Sequence, residues 1–398
     1  MSAPMSVVAV DGGELPLGGG LLALLRPALA LLPPGGQLAL SSSAPSVAQD
    51  LPAWCRVERH DYLGADPLPE GRTSHRIARG SLGVARAPED GGLALPERAD
   101  PATGFAPRGA AVEPGGPVYP FTLVERDHVI PPEVGMLYEQ AVSSQWVAAR
   151  DIPWDTVKPL PPALEQALGQ TMTFLAENEL SALYVPATFL PRIHPAYAEV
   201  AMFLATQLHD ESRHIEVFLR RARAGGGRLG VSSVTTSQSL LSLLELNDFT
   251  EAAFLLSVLG EGTFLDLLKF VERFAPDEAT LLLTQKARVD ETRHVHFGLA
   301  HVRHALGHDP SLYGRLEAAV RKRAATMASA AGVPAPLADA LTILAAGGGD
   351  PRGVRKGHEA FRELLETMHE NRIRRLEHAG FSPEQAKMLS DLHTPNFM

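Results

Sequence analysis

Two five-residue stretches, eighty positions apart, repeat one pattern: Asp210-Glu211-Ser212-Arg213-His214 and Asp290-Glu291-Thr292-Arg293-His294. Both lie in long segments whose apolar residues recur three and four apart, the spacing of a helix with a buried face. On a helix, Glu at i and His at i+3 share a face about one turn apart. Each pair therefore offers a carboxylate and an imidazole to the same ion. The competing reading is a solvated charged face with incidental histidines. One E-x-x-H arises easily by chance, but two copies with identical flanks argue for a bundle that turns these side chains inward.

A dinuclear carboxylate site takes one more carboxylate from each of two further helices. Glu261, in LSVLGEGTFLDLL, stands thirty residues before Glu291, and Glu177, in TFLAENELSALY, stands thirty-four before Glu211. A separation near thirty lets the chain climb one helix, turn and return to the same level at ~1.5 Å per residue. Glu179 competes with Glu177, and Glu251 is an outside candidate for the third helix. Four clustered carboxylates repel one another, and two divalent ions neutralise them. Asp210 and Asp290 are placed to accept a hydrogen bond from a ligand histidine on the partner helix, which directs that ring's Nδ1 at a metal. Arg213 and Arg293 would pair with those aspartates or with the ligand carboxylates.

On these motifs, residues 120–310 resemble the ferritin-like di-iron carboxylate superfamily. In motif they are most similar to its oxygenase branches, the bacterial multicomponent monooxygenase hydroxylase subunits and the arylamine N-oxygenases. EQAVSSQWVAARDIPWD resembles the lead-in helix of such enzymes, and the closing HTPNFM has the look of a kept tail. The resemblance implies two irons, or a Mn/Fe pair, held by Glu177, Glu211, His214, Glu261, Glu291 and His294, since the family spacing favours Glu177 over Glu179. It also implies O2 and a small organic substrate. The chain departs from each specialised branch. Phe218 stands where the ribonucleotide reductase small subunit has its radical tyrosine. Leu265 replaces the hydroxylase threonine, and Ala287 replaces the extra histidine of the N-oxygenases.

Residues 1–80 alternate short apolar runs with turn signals and predict a β-α-β-α-β-β unit. Strands are expected at Val7–Val10, Gln37–Leu40, Val57–Leu63 and Thr73–Ala78. Helices are expected over Gly20–Leu32 and Ser43–Arg56, with Ser43 as N-cap. The stretch VVAVDGGELPLGGGLLALLRPALALLPPGGQLAL resembles the TusA/SirA-like sulfur carriers, but Leu15 occupies the carrier-cysteine position. The likeness therefore implies a fold without sulfur transfer. Residues 81–120 read as a Pro/Gly-rich linker. Residues 121–398 read as the helical domain, with long helical segments at 132–150, 161–188, 196–224, 237–274 and 276–307. Shorter helices are expected at 310–330, 335–346 and 353–379.

The single cysteine, Cys55, excludes a disulfide framework and a thiolate zinc or iron–sulfur site. A metal must then be held by His, Asp and Glu, which favours iron or manganese. The net charge of −10 disfavours nucleic acid and anionic membranes as partners. The apolar run Leu21–Leu32 contains Arg26 and is too short to span a bilayer, so the chain reads as cytoplasmic. His209, His296, His301 and His304 read as surface or satisfied histidines, Trp146 and Trp154 as packing anchors, and Tyr184 as core on the face of Glu177. The expectation is a mainly α protein: a di-iron oxygenase or oxidase fed by a separate electron donor, with long helices that leave room for a homodimer. A metal-handling bundle and a non-catalytic interaction protein are the alternatives.

Overall fold

A computed structural model describes residues 7–80, 94–113, 115–327 and 333–393. The kept tail expected at the C-terminus therefore lies, beyond His393, outside the described residues. The chain divides into two units, one comprising residues 1–94 and 106–117 and one comprising residues 95–105 and 118–398.

The N-terminal unit has the expected element order. β1 (Val8–Gly13), α1 (Leu21–Ala30), β2 (Gln37–Ser42), α2 (Val47–Val57), β3 (Asp61–Pro67) and β4 (Thr73–Ala78) form a sheet in the order β1-β2-β4-β3. β1 and β2 run parallel with α1 as their crossover, and the remaining pairs are antiparallel. Leu21, Leu25 and Leu29 of α1 and Val47, Leu51 and Cys55 of α2 pack over Leu38, Leu40 and Ile77. Ser43 does not cap α2; its hydroxyl donates to Gly13 O at 3.0 Å, and the helix starts four residues later. α2 also runs on to Val57, so β3 begins only at Asp61. Burial pushes the Cys55 thiol up to about 11, which leaves no thiolate for chemistry.

Part of the expected linker is structured. Residues 95–105 belong with the helical unit: Ala99 N–H donates to Val124 O at 2.8 Å, and Arg126 N–H donates to Glu97 O at 2.9 Å. The cause is the set of aromatic residues among the prolines. Phe105 packs edge-on against Tyr119 and Phe121, and Phe121 against His194.

The helical unit opens with α3 (Val134–Ser143) and α4 (Ala148–Asp151). Four long segments then form the bundle. They are α5 (Pro162–Ala187), α6 (Ala198–Arg223), a composite third helix and α10 (Glu278–His308). The expected 237–274 helix is broken. α7 (Val234–Leu244) ends, and Asp248 caps a new start by accepting from Glu251 N–H at 2.9 Å. From there α8 (Phe249–Ala253), a π-helical segment (Phe254–Glu261) and α9 (Gly262–Arg273) run continuously. α11 (Leu312–Thr326), α12 (Ala335–Ala346), α13 (Pro351–His378) and α14 (Pro383–Leu392) complete the unit. No described helix is long and apolar enough to cross a membrane.

Two apolar cores fill the bundle, one at each end. One takes Ala182 and Val185 of α5, Phe203 and Leu204 of α6, Val258 and Leu259, and Phe297 and Val302 of α10. The other takes Met172 and Leu175, Val217 and Phe218, Phe264 and Leu267, and Leu283 and Ala287. Each helix thus interrupts its apolar stripe at the same level. The residues at that level are Glu179, Glu211, Glu261 and Glu291.

Within the first core, His301 is fully buried with Nε2 3.0 Å from Thr250 Oγ1. Burial, aided by the charge of His304, lowers it to about 4, against ~6.5 in an unfolded chain. The unfolded chain binds this proton between those values and the folded chain does not. Stability is therefore unaffected above about pH 6.5 and falls as pH drops toward 4, by up to roughly 3 kcal/mol. His301→Gln is expected to flatten the acid limb of a Tm-against-pH curve in that window. An unchanged slope would assign the acid sensitivity elsewhere.

Candidate metal centre

Two buried four-residue groups meet at the bundle's middle. One comprises Glu179, Glu211, His214 and Glu291; the other comprises Glu211, Glu261, Glu291 and His294. Within each group the donor atoms lie within 4.8 Å of one another. Glu211 and Glu291 belong to both groups, so each carboxylate faces both histidines. Glu211 reaches His294 Nδ1 at 3.0 Å and His214 Nδ1 at 3.1 Å. Glu291 reaches the same two atoms at 3.5 Å and 3.2 Å. Glu179 approaches His214 at 3.5 Å on one side. Glu261, on the other, accepts from Gln207 Nε2 at 3.2 Å. This is the ferritin-like arrangement: a Glu from each of two helices and Glu-x-x-His from each of the other two, all projecting inward.

The structure brings Glu179, not Glu177, into the cluster. On α5 the inward stripe runs Leu168, Met172, Leu175, Glu179, Ala182 and Pro186, all buried. Glu177 is two residues out of phase and shares the outward side with Gln166, Leu180 and Tyr184. Tyr184, expected in the core on that face, is 59% exposed for the same reason. Glu251 also lies outside the cluster, 3.9 Å from Arg315.

Behind the histidines sits a second polar layer. His214 Nε2 is 3.2 Å from Asp290, and His294 Nε2 is 3.3 Å from Asp210. Each aspartate thus meets the histidine of the other motif, and each ring turns Nδ1 toward the glutamates. Arg213 bonds Asp210 and also Asp290, the latter at 3.0 Å; Arg293 bonds Asp290 and also Asp210, the latter at 3.1 Å. All four side chains are buried. Trp146 is more than a packing anchor: its Nε1–H donates to Asp290 at 2.7 Å, and the Arg213 guanidinium lies over its ring. Gln145 donates to Asp210 at 3.2 Å and accepts from Arg213. Both residues sit between α3 and α4, where the helix expected over 132–150 breaks. Trp154 donates to Ala148 O and lies under Arg220. Of the remaining histidines, His209 and His296 are exposed. Phe218 and Ala287 are buried beside the centre's apolar floor, and Leu265 is half-buried.

The donor set fits a pair of divalent ions. Buried oxygens of Glu179, Glu211, Glu261 and Glu291, and Nδ1 of His294, have no hydrogen-bond partner, although leaving such atoms unpaired is costly. Burial first, then the charges of Glu291 and Glu211, lift Glu179 and Glu261 well above the usual glutamate range. Burial alone would lower His214 and His294, but the facing glutamates and aspartates outweigh it and raise both. Burial would likewise raise Asp210 and Asp290, yet the two histidines and the arginines hold them low. The glutamate layer thus demands positive charge that its own residues meet only by holding protons. Two divalent ions balance its four carboxylates, while the arginines balance the two aspartates.

The π-helical segment places Glu261. A π turn holds one residue more than an α turn and rotates the residues after it, and such segments recur at functional sites. α10 packs directly against the segment at Gly298, where an added Cβ would stand 2.5 Å from Ser257 Cβ. Gly298→Ala is expected to push the segment off α10, costing about 1–3 kcal/mol and weakening metal binding. Gly307→Ala, where nothing lies within 4 Å, serves as the control in the same melting and metal titrations. It is expected to be neutral or to stabilise by up to ~1 kcal/mol.

No protein-family model matches the chain, and no curated protein matches it. Among solved structures the chain is similar to R2-like ligand-binding oxidases. A variant with an aerobically reconstituted Mn/Fe cofactor is 16% identical, with 66% of this chain and 94% of that chain covered at a TM-score of 0.45. A variant with an anaerobically reconstituted Mn/Fe cofactor is 19% identical, with 66% and 93% covered at 0.43. A third, with an aerobically reconstituted metal cofactor after photoconversion, is 16% identical, with 66% and 94% covered at 0.45.

Proposed function

We propose that the protein is a dinuclear-metal oxidoreductase that uses O2 on a small organic molecule, with electrons from a separate donor. One observation carries the reading: Glu211 and Glu291 are shared by two buried donor groups, each completed by one further glutamate and one histidine. Carboxylate and imidazole donors without sulfur suit iron and manganese, so two irons or a Mn/Fe pair fit this set. When bound, such a pair supplies the redox chemistry, passing electrons to O2. The chain's residues prepare the place for it. Glu211 and Glu291, common to both donor groups, would hold both ions, and Glu179 and Glu261 would each complete one group. Asp290 and Asp210 hold the imidazole rings with Nδ1 inward. The apolar cores on both sides keep bulk water from the donors. Phe218, one turn beyond His214, offers no phenol to hold a radical, which favours chemistry on a bound substrate. A separate donor is inferred because the sequence holds no flavin, nicotinamide or iron–sulfur motif.

The test is iron content and O2 uptake of protein from iron-supplied cells, beside a Glu211→Ala/Glu291→Ala double variant. The expected result is about two irons per wild-type chain, lost in the variant, and O2 consumption after chemical reduction that the variant lacks. Equal metal in both proteins would overturn the centre. Two irons with no O2 uptake would overturn the enzyme and leave a metal-storing or structural bundle.

A further inference from the structure

A second group of metal-ligating side chains lies elsewhere in the helical unit. His304 and His308 are four apart on the last turns of α10, so their rings lie on one face, with centroids 4.3 Å apart. Asp127, in the turn Arg126–His128, faces both. His304 Nε2 stands 3.6 Å from one carboxylate oxygen and His308 Nε2 3.8 Å from the other. These separations are too long for hydrogen bonds. They approach the ~3.3 Å edge of a tetrahedron whose bonds to a central cation are ~2.0–2.1 Å. All three donor atoms lie within 4.8 Å of one another.

We infer that Asp127, His304 and His308 form a site for one borderline divalent cation, of the Zn2+, Ni2+ or Cu2+ class, which fastens the 126–128 turn to the end of α10. Two imidazoles and one carboxylate are the donors such ions take, with the remaining positions left to water. The rings are prepared for it. His308 Nδ1 donates to His304 O at 2.9 Å, which fixes the tautomer with Nε2 free on the aspartate side. Burial, with the charge of His308, holds His304 below its usual value. The backbone is hydrogen-bonded on both sides. Val129 and Ile130 N–H both donate to Arg126 O, and α10 extends without a break from the carboxylate centre. His304 lies ten residues beyond His294, ~15 Å along the axis, so the two sites share no residue. One neighbour opposes binding: the Arg126 guanidinium donates to Asp127 Oδ1 at 3.0 Å.

The test uses the full chain with its carboxylate centre loaded and Zn2+ alone as titrant. The wild type is expected to bind one Zn2+ beyond the centre's content, and His304→Ala/His308→Ala to lose that ion while the centre's content stays unchanged. Asp127→Asn is expected to weaken binding at least ~10-fold, and Arg126→Gln to strengthen it by freeing Oδ1. His304 and His308 are 19% and 47% exposed, so these substitutions leave the core intact. With Cu2+ as probe, the paramagnetic resonance spectrum is expected to show two coupled nitrogens, absent in the double variant. A double variant that titrates like the wild type overturns the site. An Asp127→Asn chain that titrates like the wild type overturns the three-donor set. Both results are independent of the dinuclear reading, because the ligands are different.

Discussion

Glu179→Gln is expected to lower the metal content from about two ions per chain to about one, and to abolish O2 uptake. Glu177→Gln is expected to leave both at wild-type levels. The two residues are neighbours on one helix turn, so composition and gross helix propensity hardly differ between the variants. What differs is direction. Glu179 is 2% exposed and stands 3.5 Å from His214 Nδ1. Glu177 is half-buried on the outer side, lifted only by its own partial burial. Glutamine keeps the shape of the side chain but removes the charge and one strong donor oxygen. At position 179 that leaves His214 with only the shared carboxylates, and the ion on its side is lost. Metal analysis of the two purified variants decides the matter. Two ions retained by Glu179→Gln and lost by Glu177→Gln would mean that α5 turns its other face to the centre.

That contrast also marks what the sequence could give. The paired Glu-x-x-His motifs were legible because both partners lie on one helix, where spacing alone fixes their face. Glu261 was legible because it interrupts an apolar run on every side. Glu177 and Glu179 are not separated by distance to the motif, since a helix–turn–helix tolerates a shift of two residues. They are separated by phase. The stripe Leu168, Met172, Leu175, Ala182 was visible and includes Glu179; the borrowed family spacing overrode it. The capping box at Ser382 and Gln385 was likewise a readable start for α14, a helix not expected there. Other features were closed to pattern reading. The π turn before Glu261 adds one residue without changing the apolar character of the run. Trp146 and Gln145 reach the aspartates from a connection between helices that the apolar spacing of 132–150 reads straight through as helix. The structured part of 81–120 is held by a few aromatic residues, and its proline and glycine content hid them.

Arg293→Met is expected to destabilise the protein by about 3–5 kcal/mol, a melting shift on the order of 5–15 °C, although it touches no proposed ligand. Asp210, Asp290, Arg213 and Arg293 are all buried, so none is compensated by water. Removing Arg293 leaves two aspartates facing one guanidinium. Asp210→Asn alone leaves two guanidinium groups facing one aspartate, and it also takes from His294 Nε2 the charge that fixes its ring. It should therefore weaken metal binding ~10–100-fold as well. The two changes combined leave the direct Arg213–Asp290 pair, 3.0 Å apart, and restore neutrality. The double variant is then expected to be more stable than the sum of the single losses predicts, by roughly 2 kcal/mol or more, because residues in one network do not add. Melting curves of the metal-free proteins give the stability cycle, and metal titrations of the same four proteins give the ligand effect. Strict additivity would mean that these four groups do not act as one network. His214 would then owe its orientation to packing against Trp146 and Phe218 rather than to Asp290.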